Sequence, residues 1–174
     1  MNRFNKCNPN FFPCAFPISS DGATGAAGPT GLFVNAGGSV ANGFNIPQTF
    51  GNLEKIDFTG GNFIINNVLW NGSDTFTILE AGLYYFIGEL FSSPTQVGPV
   101  GVAVFANNIA VPPSFASGAN FNSGNGNPAV GFGFRNMIIG DTVSLYNVSQ
   151  QPITLGSDLN SMFFGARFSF FKIG

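Results

Sequence analysis

The chain has 174 residues, 44% of them hydrophobic and only 8% charged, with six Lys/Arg, eight Asp/Glu and no histidine. A net charge of −2 excludes binding to nucleic acid through a basic patch, and the missing imidazole excludes Ser-His-Asp and Cys-His catalysis. No run approaches the roughly 20 apolar residues of a membrane span, and Asn8, Pro9, Asn10, Pro13 and Pro17 break any signal-peptide core. The expected location is therefore either the cytosol or an outer surface reached without the usual export route. Twenty-two phenylalanines exceed what the core of one monomer of this size needs. With so little charge to spread over a surface, much of that surface is expected to be buried against other copies.

Residues 1–20 form the first segment. Pro9, Pro13 and Pro17 forbid a helix and favour an extended course. Disordered tails are usually poor in aromatics, whereas this one carries Phe4, Phe11, Phe12 and Phe16. These four read as anchors seeking pockets, by strand addition or by groove docking. Fully extended, 20 residues reach about 65 Å, against a radius of gyration of about 14 Å for the body that follows, so the segment can touch a neighbour. Cys7 and Cys14 also lie here, the only cysteines, and are candidates for cross-links between chains or else a pair of free thiols.

Residues 21–31 hold Gly22, Gly25, Gly28 and Gly31 with Pro29 in the last triplet. Glycine at every third position is the collagen rule, in which only glycine fits the axis of three wound chains. The spacing predicts a trimer, although three triplets are too few to hold a triple helix without a trimeric neighbour.

From residue 32 to 174 the pattern is short strands between turns. Leu32-Phe33-Val34 opens the domain, with turns expected at Gly37-Gly38 and Asn42-Gly43 and an irregular stretch over 44–50 around Pro47. Residues 54–58 alternate weakly. Strands over 63–70 and 73–79 flank Asn71-Gly72, a strong hairpin signal. An aromatic strand over 83–90 follows the turn Glu80-Ala81-Gly82. Strands over 100–106 and 109–111 flank Asn107-Asn108, and residues 112–128 form a Pro/Ser/Gly/Asn-rich loop able to line a surface site. Residues 129–137 alternate, with Gly131 and Gly133 allowing close backbone approach. Residues 138–147 turn at Gly140-Asp141, 153–155 form a short strand, and the last strand runs over 162–173. No stretch beyond ten residues has a helical period, so the fold class is all-β, a sandwich or jelly roll.

Chemistry is sparse. Asp57, Asp74, Glu80, Glu89, Asp141 and Asp158 are the carboxylates available for acid–base work, but Asp74, Glu80 and Asp141 sit in turns that capping explains better. No catalysis, metal site or cofactor is expected. Asn71-Gly72-Ser73 and Asn147-Val148-Ser149 match the glycosylation sequon.

Asp74-Thr75-Phe76-Thr77-Ile78-Leu79-Glu80-Ala81-Gly82-Leu83-Tyr84-Tyr85-Phe86, an apolar strand, a Glu-x-Gly turn and an aromatic strand, resembles C1q/TNF-like jelly rolls. Together with the triplets and Asn107-Asn108, it is similar to the C-terminal domains of collagen-like exosporium glycoproteins of Bacillus spores, the BclA type. The resemblance covers about 140 residues and implies a homotrimeric jelly roll on the outer surface of an endospore. It also implies Thr24 and Thr30 as O-glycan acceptors. Where that family carries long stalks this chain has three triplets, and the family's basal-layer leader is not evident in its Phe/Cys/Pro tail. The combination looks similar to subunits of endospore appendages, trimers joined head-to-tail by N-terminal connectors. Expected partners are other copies of the chain, an exosporium anchor protein and a tip protein. The alternative is a discrete trimeric adhesin or binding module, or a fibre-tip protein, attached by its tail.

Overall fold

The computed structural model describes residues 36–42, 48–93, 95–111, 128–155 and 165–174. The chain divides into two compact units, Met1–Leu32 and Phe33–Gly174, and every described residue lies in the second. That unit is all-β: twelve strands and no helix among the described residues.

The strands are β1 (Gly37–Ala41), β2 (Gln48–Phe50), β3 (Asn62–Asn66), β4 (Val68–Trp70), β5 (Phe76–Ile78) and β6 (Gly82–Leu90). They continue as β7 (Val102–Ala106), β8 (Ile109–Ala110), β9 (Ala129–Met137), β10 (Thr142–Asn147), β11 (Ile153–Leu155) and β12 (Ala166–Lys172). One five-stranded sheet runs β3-β1-β12-β6-β9, a second runs β4-β5-β10-β7-β8, and β2 pairs with β11. All pairings are antiparallel. The consecutive strands β3 and β4 lie in different sheets, as do β5 and β6, which is the crossing pattern of a jelly roll.

The core fills the space between the two sheets. Tyr84, Phe86 and Leu90 of β6, Phe168 and Phe170 of β12, and Val40 of β1 meet Phe76, Ile78, Val102, Val104, Val143 and Leu145 from the other side. Each strand contributes alternate residues, as the two-residue period of a strand requires. Phe76, Phe86, Phe168 and Phe170 form a ring cluster, with Phe170 within 5.2–6.0 Å of the other three centroids.

Several loops are held by amides rather than charges. Asn147, wholly buried, donates through Nδ2 to the carbonyls of Phe50, Gly51 and Gln151 and accepts from the Ser149 N–H. Asn71 Oδ1 accepts the N–H groups of Ser73, Asp74 and Thr75 at 2.9–3.1 Å. Asn107 and Asn108 both have positive φ (51° and 61°), the conformation of the tight hairpin turn that joins β7 to β8. Both sequon asparagines are thus structural, and Asn147 has no exposed surface on which to carry a glycan.

The structure differs from the sequence expectations at four places. Gly37-Gly38 is not a turn but the start of β1. Glycine is needed at 37, where a Cβ would collide with the Phe170 backbone carbonyl, and a Cβ on Gly38 would stand a tight 3.2 Å from the Phe170 ring. The stretch 44–50 is not wholly irregular, since its last three residues form β2. Residues 63–70 are not one strand. Asn67, with φ of 51°, breaks them so that β3 joins one sheet and β4 the other. Residues 54–58 form only an isolated bridge, Lys55 to Tyr146, although their alternation does bury Ile56 and Phe58. The expected opening strand over 32–34 lies outside the described residues, as does the expected loop over 112–128 except Pro128.

Candidate assembly surface

The two sheets differ in what they show to solvent. In the β3-β1-β12-β6-β9 sheet, the register aligns outward side chains into rows that cross all five strands. One row reads Ile64, Ser39, Ser169, Ile87 and Phe132, and the next reads Asn66, Gly37, Phe171, Tyr85 and Phe134. Ile64, Phe132, Phe134 and Phe171 are 79%, 45%, 52% and 37% exposed. Tyr85 lies between Phe171 and Phe134, with ring centroids 5.5 and 6.4 Å away. Across these two rows there is no charged residue. The polar pair Ser39 and Ser169 is satisfied internally, Oγ to Oγ, at 2.8 Å. Charge enters only at the third row, where Arg167 stands opposite Glu89.

The local reason is an inversion in β9. Over 129–134 its inward positions are Ala129, Gly131 and Gly133, small enough for β6 and its aromatics to pack closely, and its outward positions are Val130, Phe132 and Phe134. Over that part of the strand the large residues therefore face away from the core, although Met137 further along is buried in it. Contiguous exposed aromatic surface of this kind marks a site of association.

A second concave region, about 690 Å³, is lined by Gln48, Phe50, Glu54, Lys55, Asp57, Asp74 and Tyr146 among others. Its polar groups brace one another: Lys55 Nζ donates to Thr75 Oγ1 and Thr75 Oγ1 donates to Asp74 Oδ1. Burial opposes ionisation of Asp57, but hydrogen bonds from the Thr59 hydroxyl and N–H and from the Ser73 hydroxyl hold its carboxyl below the ordinary range. Glu80 lies elsewhere, at the β5–β6 turn. The Lys172 ammonium beside it, with help from the Asn67 amide, lowers its pKa. Asp141 accepts from the Ile138 N–H and the Asn107 amide. These carboxylates fasten turns. No group of three or more His, Cys, Asp or Glu side chains suited to a metal occurs among the described residues.

The residues singled out in sequence, Phe4, Phe11, Phe12, Phe16, Cys7, Cys14, Thr24 and Thr30, lie outside the described residues, as does Asp158. Sequence reasoning missed Tyr85, Phe132 and Phe134 as surface groups. The available signal was the alternation of phenylalanine with glycine over 131–134.

No protein-family model matches the sequence. No curated protein matches it at a significant level. Solved structures do match. The globular domain of zebrafish complement 1qA protein aligns with a TM-score of 0.54 at 16% identity, over 80% of this chain and 98% of that one. Murine APRIL at pH 5.0 aligns with a TM-score of 0.53 at 11% identity, over 79% of this chain and 98% of that one. At such identities the likeness is one of fold, and it establishes the class: a C1q/TNF-like jelly roll.

Proposed function

We propose that this chain is the structural subunit of a self-assembling fibre on the surface of an endospore. Three copies associate through the outer face of the β3-β1-β12-β6-β9 sheet. The resulting trimers join head-to-tail, the 1–20 connector of one entering the next. The observation that carries the reading is the uncharged aromatic face centred on Tyr85, Phe132, Phe134 and Phe171, on a chain with 8% charged residues. The C1q/TNF-like fold supports the trimeric module, and the four tail phenylalanines support the joint.

A head-to-tail contact between unlike surfaces does not close, so it grows as a filament. In this reading Cys7 and Cys14 lock the joint by disulfides, and Thr24 and Thr30 carry glycans. The test is negative-stain electron microscopy of purified full-length protein, with labelled antibody on intact spores to check location. Fibres that vanish on removal of residues 2–20, leaving trimers in light scattering, support the reading. Fibres that persist without those residues overturn the connector. Discrete trimers from full-length protein favour the adhesin or binding module instead.

A further inference from the structure

Resting on that fibre reading, we propose that the connector docks on the outer edge of β3, where residues 9–17 of a neighbouring copy add as a sixth strand. The acceptor is unusual for an edge. β3 ends its sheet, paired with β1 on one side and with no described strand beyond it. All five of its residues are exposed, including Phe63 at 53% and Ile64 at 79%. Proteins normally guard such an edge with lysine, proline or a bulge, yet residues 60–70 contain neither a charge nor a proline. The other candidate edges are poorer. β9 carries Arg135 and packs its inward half against the core, and β4 and β8 are only three and two residues long.

The connector is matched to an edge by its prolines. Pro9, Pro13 and Pro17 recur at intervals of four. In a strand, alternate residues direct their N–H and C=O to the same side, so all three missing donors fall on one edge. A three-residue PPII period would scatter them around the axis. The complementary edge, with Asn10, Phe12, Cys14 and Phe16, keeps every donor, and the residues before Pro13 and Pro17 are already biased to extended backbone. A strand with one complete edge and one proline-blocked edge pairs once and then ends the sheet. Phe12 and Phe16 share one face and Phe11 takes the other, while β3 offers Ile64 on one face and Phe63 and Ile65 on the other.

The experiment uses full-length variants, scored for trimers by light scattering and for fibres by electron microscopy. Asn10→Pro removes a donor from the pairing edge, whereas Ala15→Pro adds a proline to the edge already blocked, and both keep every phenylalanine. Phe63→Lys guards the acceptor, on the face of β3 opposite the association rows. Ala15→Pro is expected to form fibres as the parent does. Asn10→Pro and Phe63→Lys are expected to lower fibre yield at least tenfold while leaving trimers. Mixing those two preformed trimers should restore single joints, since one supplies intact connectors and the other intact edges. No joining in the mixture would mean that each connector serves its own chain, which overturns the proposal. In parent fibres, hydrogen exchange at residues 62–66 should slow relative to Asn10→Pro trimers, a readout independent of the Phe63 substitution. If Asn10→Pro and Ala15→Pro behave alike, or β3 gains no protection, the docking site is wrong. If fibres also survive Phe12→Ser with Phe16→Ser, the connector reading itself has failed.

Discussion

The exposed aromatic face makes a quantitative demand on Phe134. Its side chain is 52% exposed, with its ring centroid 6.4 Å from that of Tyr85 in its own subunit, so Phe134→Lys should change the stability of an isolated subunit by no more than about 0.5 kcal/mol. In the trimer the lost burial is about half of a phenylalanine, or about 1 kcal/mol per copy. Forcing an ammonium against an uncharged face adds at least about 2 kcal/mol more. Three copies then lose about 9 kcal/mol, roughly six powers of ten in the assembly constant. Size exclusion with light scattering at micromolar protein should show monomers for Phe134→Lys and trimers for Phe134→Leu, with the same far-ultraviolet circular dichroism. A Phe134→Lys protein that remains trimeric at that concentration would refute the assignment of this face.

Three further outcomes concern the body. Gly88 faces the core, where an added Cβ would collide with the buried Leu145 side chain. Gly88→Ala should cost about 1–3 kcal/mol in urea unfolding, and in a double-mutant cycle part of that cost should vanish on a Leu145→Ala background. Asn71→Ala removes the acceptor of three turn N–H groups and should cost about 1 kcal/mol by thermal melting, in the range of a lost cap. Asp57 and Glu80 both have folded pKa values below their ordinary 3.8 and 4.5. The unfolded chain therefore binds their protons first. Their contribution is complete above the ordinary values and is lost as pH falls through the lower folded ones. Asp57→Asn with Glu80→Gln should flatten the acid limb of melting temperature against pH, and an unchanged limb would remove these two groups from the explanation.

Much of the fold was legible because its long strands alternate cleanly. Residues 83–90 and 129–137 fall where periodicity puts them, β12 covers Ala166–Lys172 of the expected 162–173, whose first three residues lie outside the described residues, and Asn107-Asn108 announces its turn through residues that tolerate positive φ. Gly37-Gly38 misled because glycine pairs usually signal freedom, whereas Gly38 is there to admit the Phe170 ring. The split of 63–70 was hidden for a similar reason: Asn67 adopts positive φ within an otherwise uniform apolar run. The surface was less legible than the fold. Tyr85, Phe134 and Phe171 lie far apart in sequence and meet only through the register of β6 with β9 and β12. Alternation also does not say which face is inside. In β9 the glycines point inward and the phenylalanines outward, the reverse of the usual assignment.

In the proposed fibre, joint strength would follow from number rather than from any single strand. Pairing along five residues of β3 gives a few hydrogen bonds of about 1 kcal/mol each, and two phenylalanines add about 1.5–3 kcal/mol apiece at most. Ordering the nine-residue connector costs about 1–2 kcal/mol per residue, so one connector alone is marginal. Three connectors on one trimer convert the second and third dockings into intramolecular events at roughly millimolar effective concentration. Fibre formation should therefore need all three. Chains carrying Phe12→Ser and Phe16→Ser, co-folded in equal amounts with the parent, would leave only about one trimer in eight with three intact connectors. Fibre mass measured by sedimentation should fall with the cube of the parent fraction. A linear fall would mean that each connector holds independently, and the multivalent account of the joint would have to be abandoned.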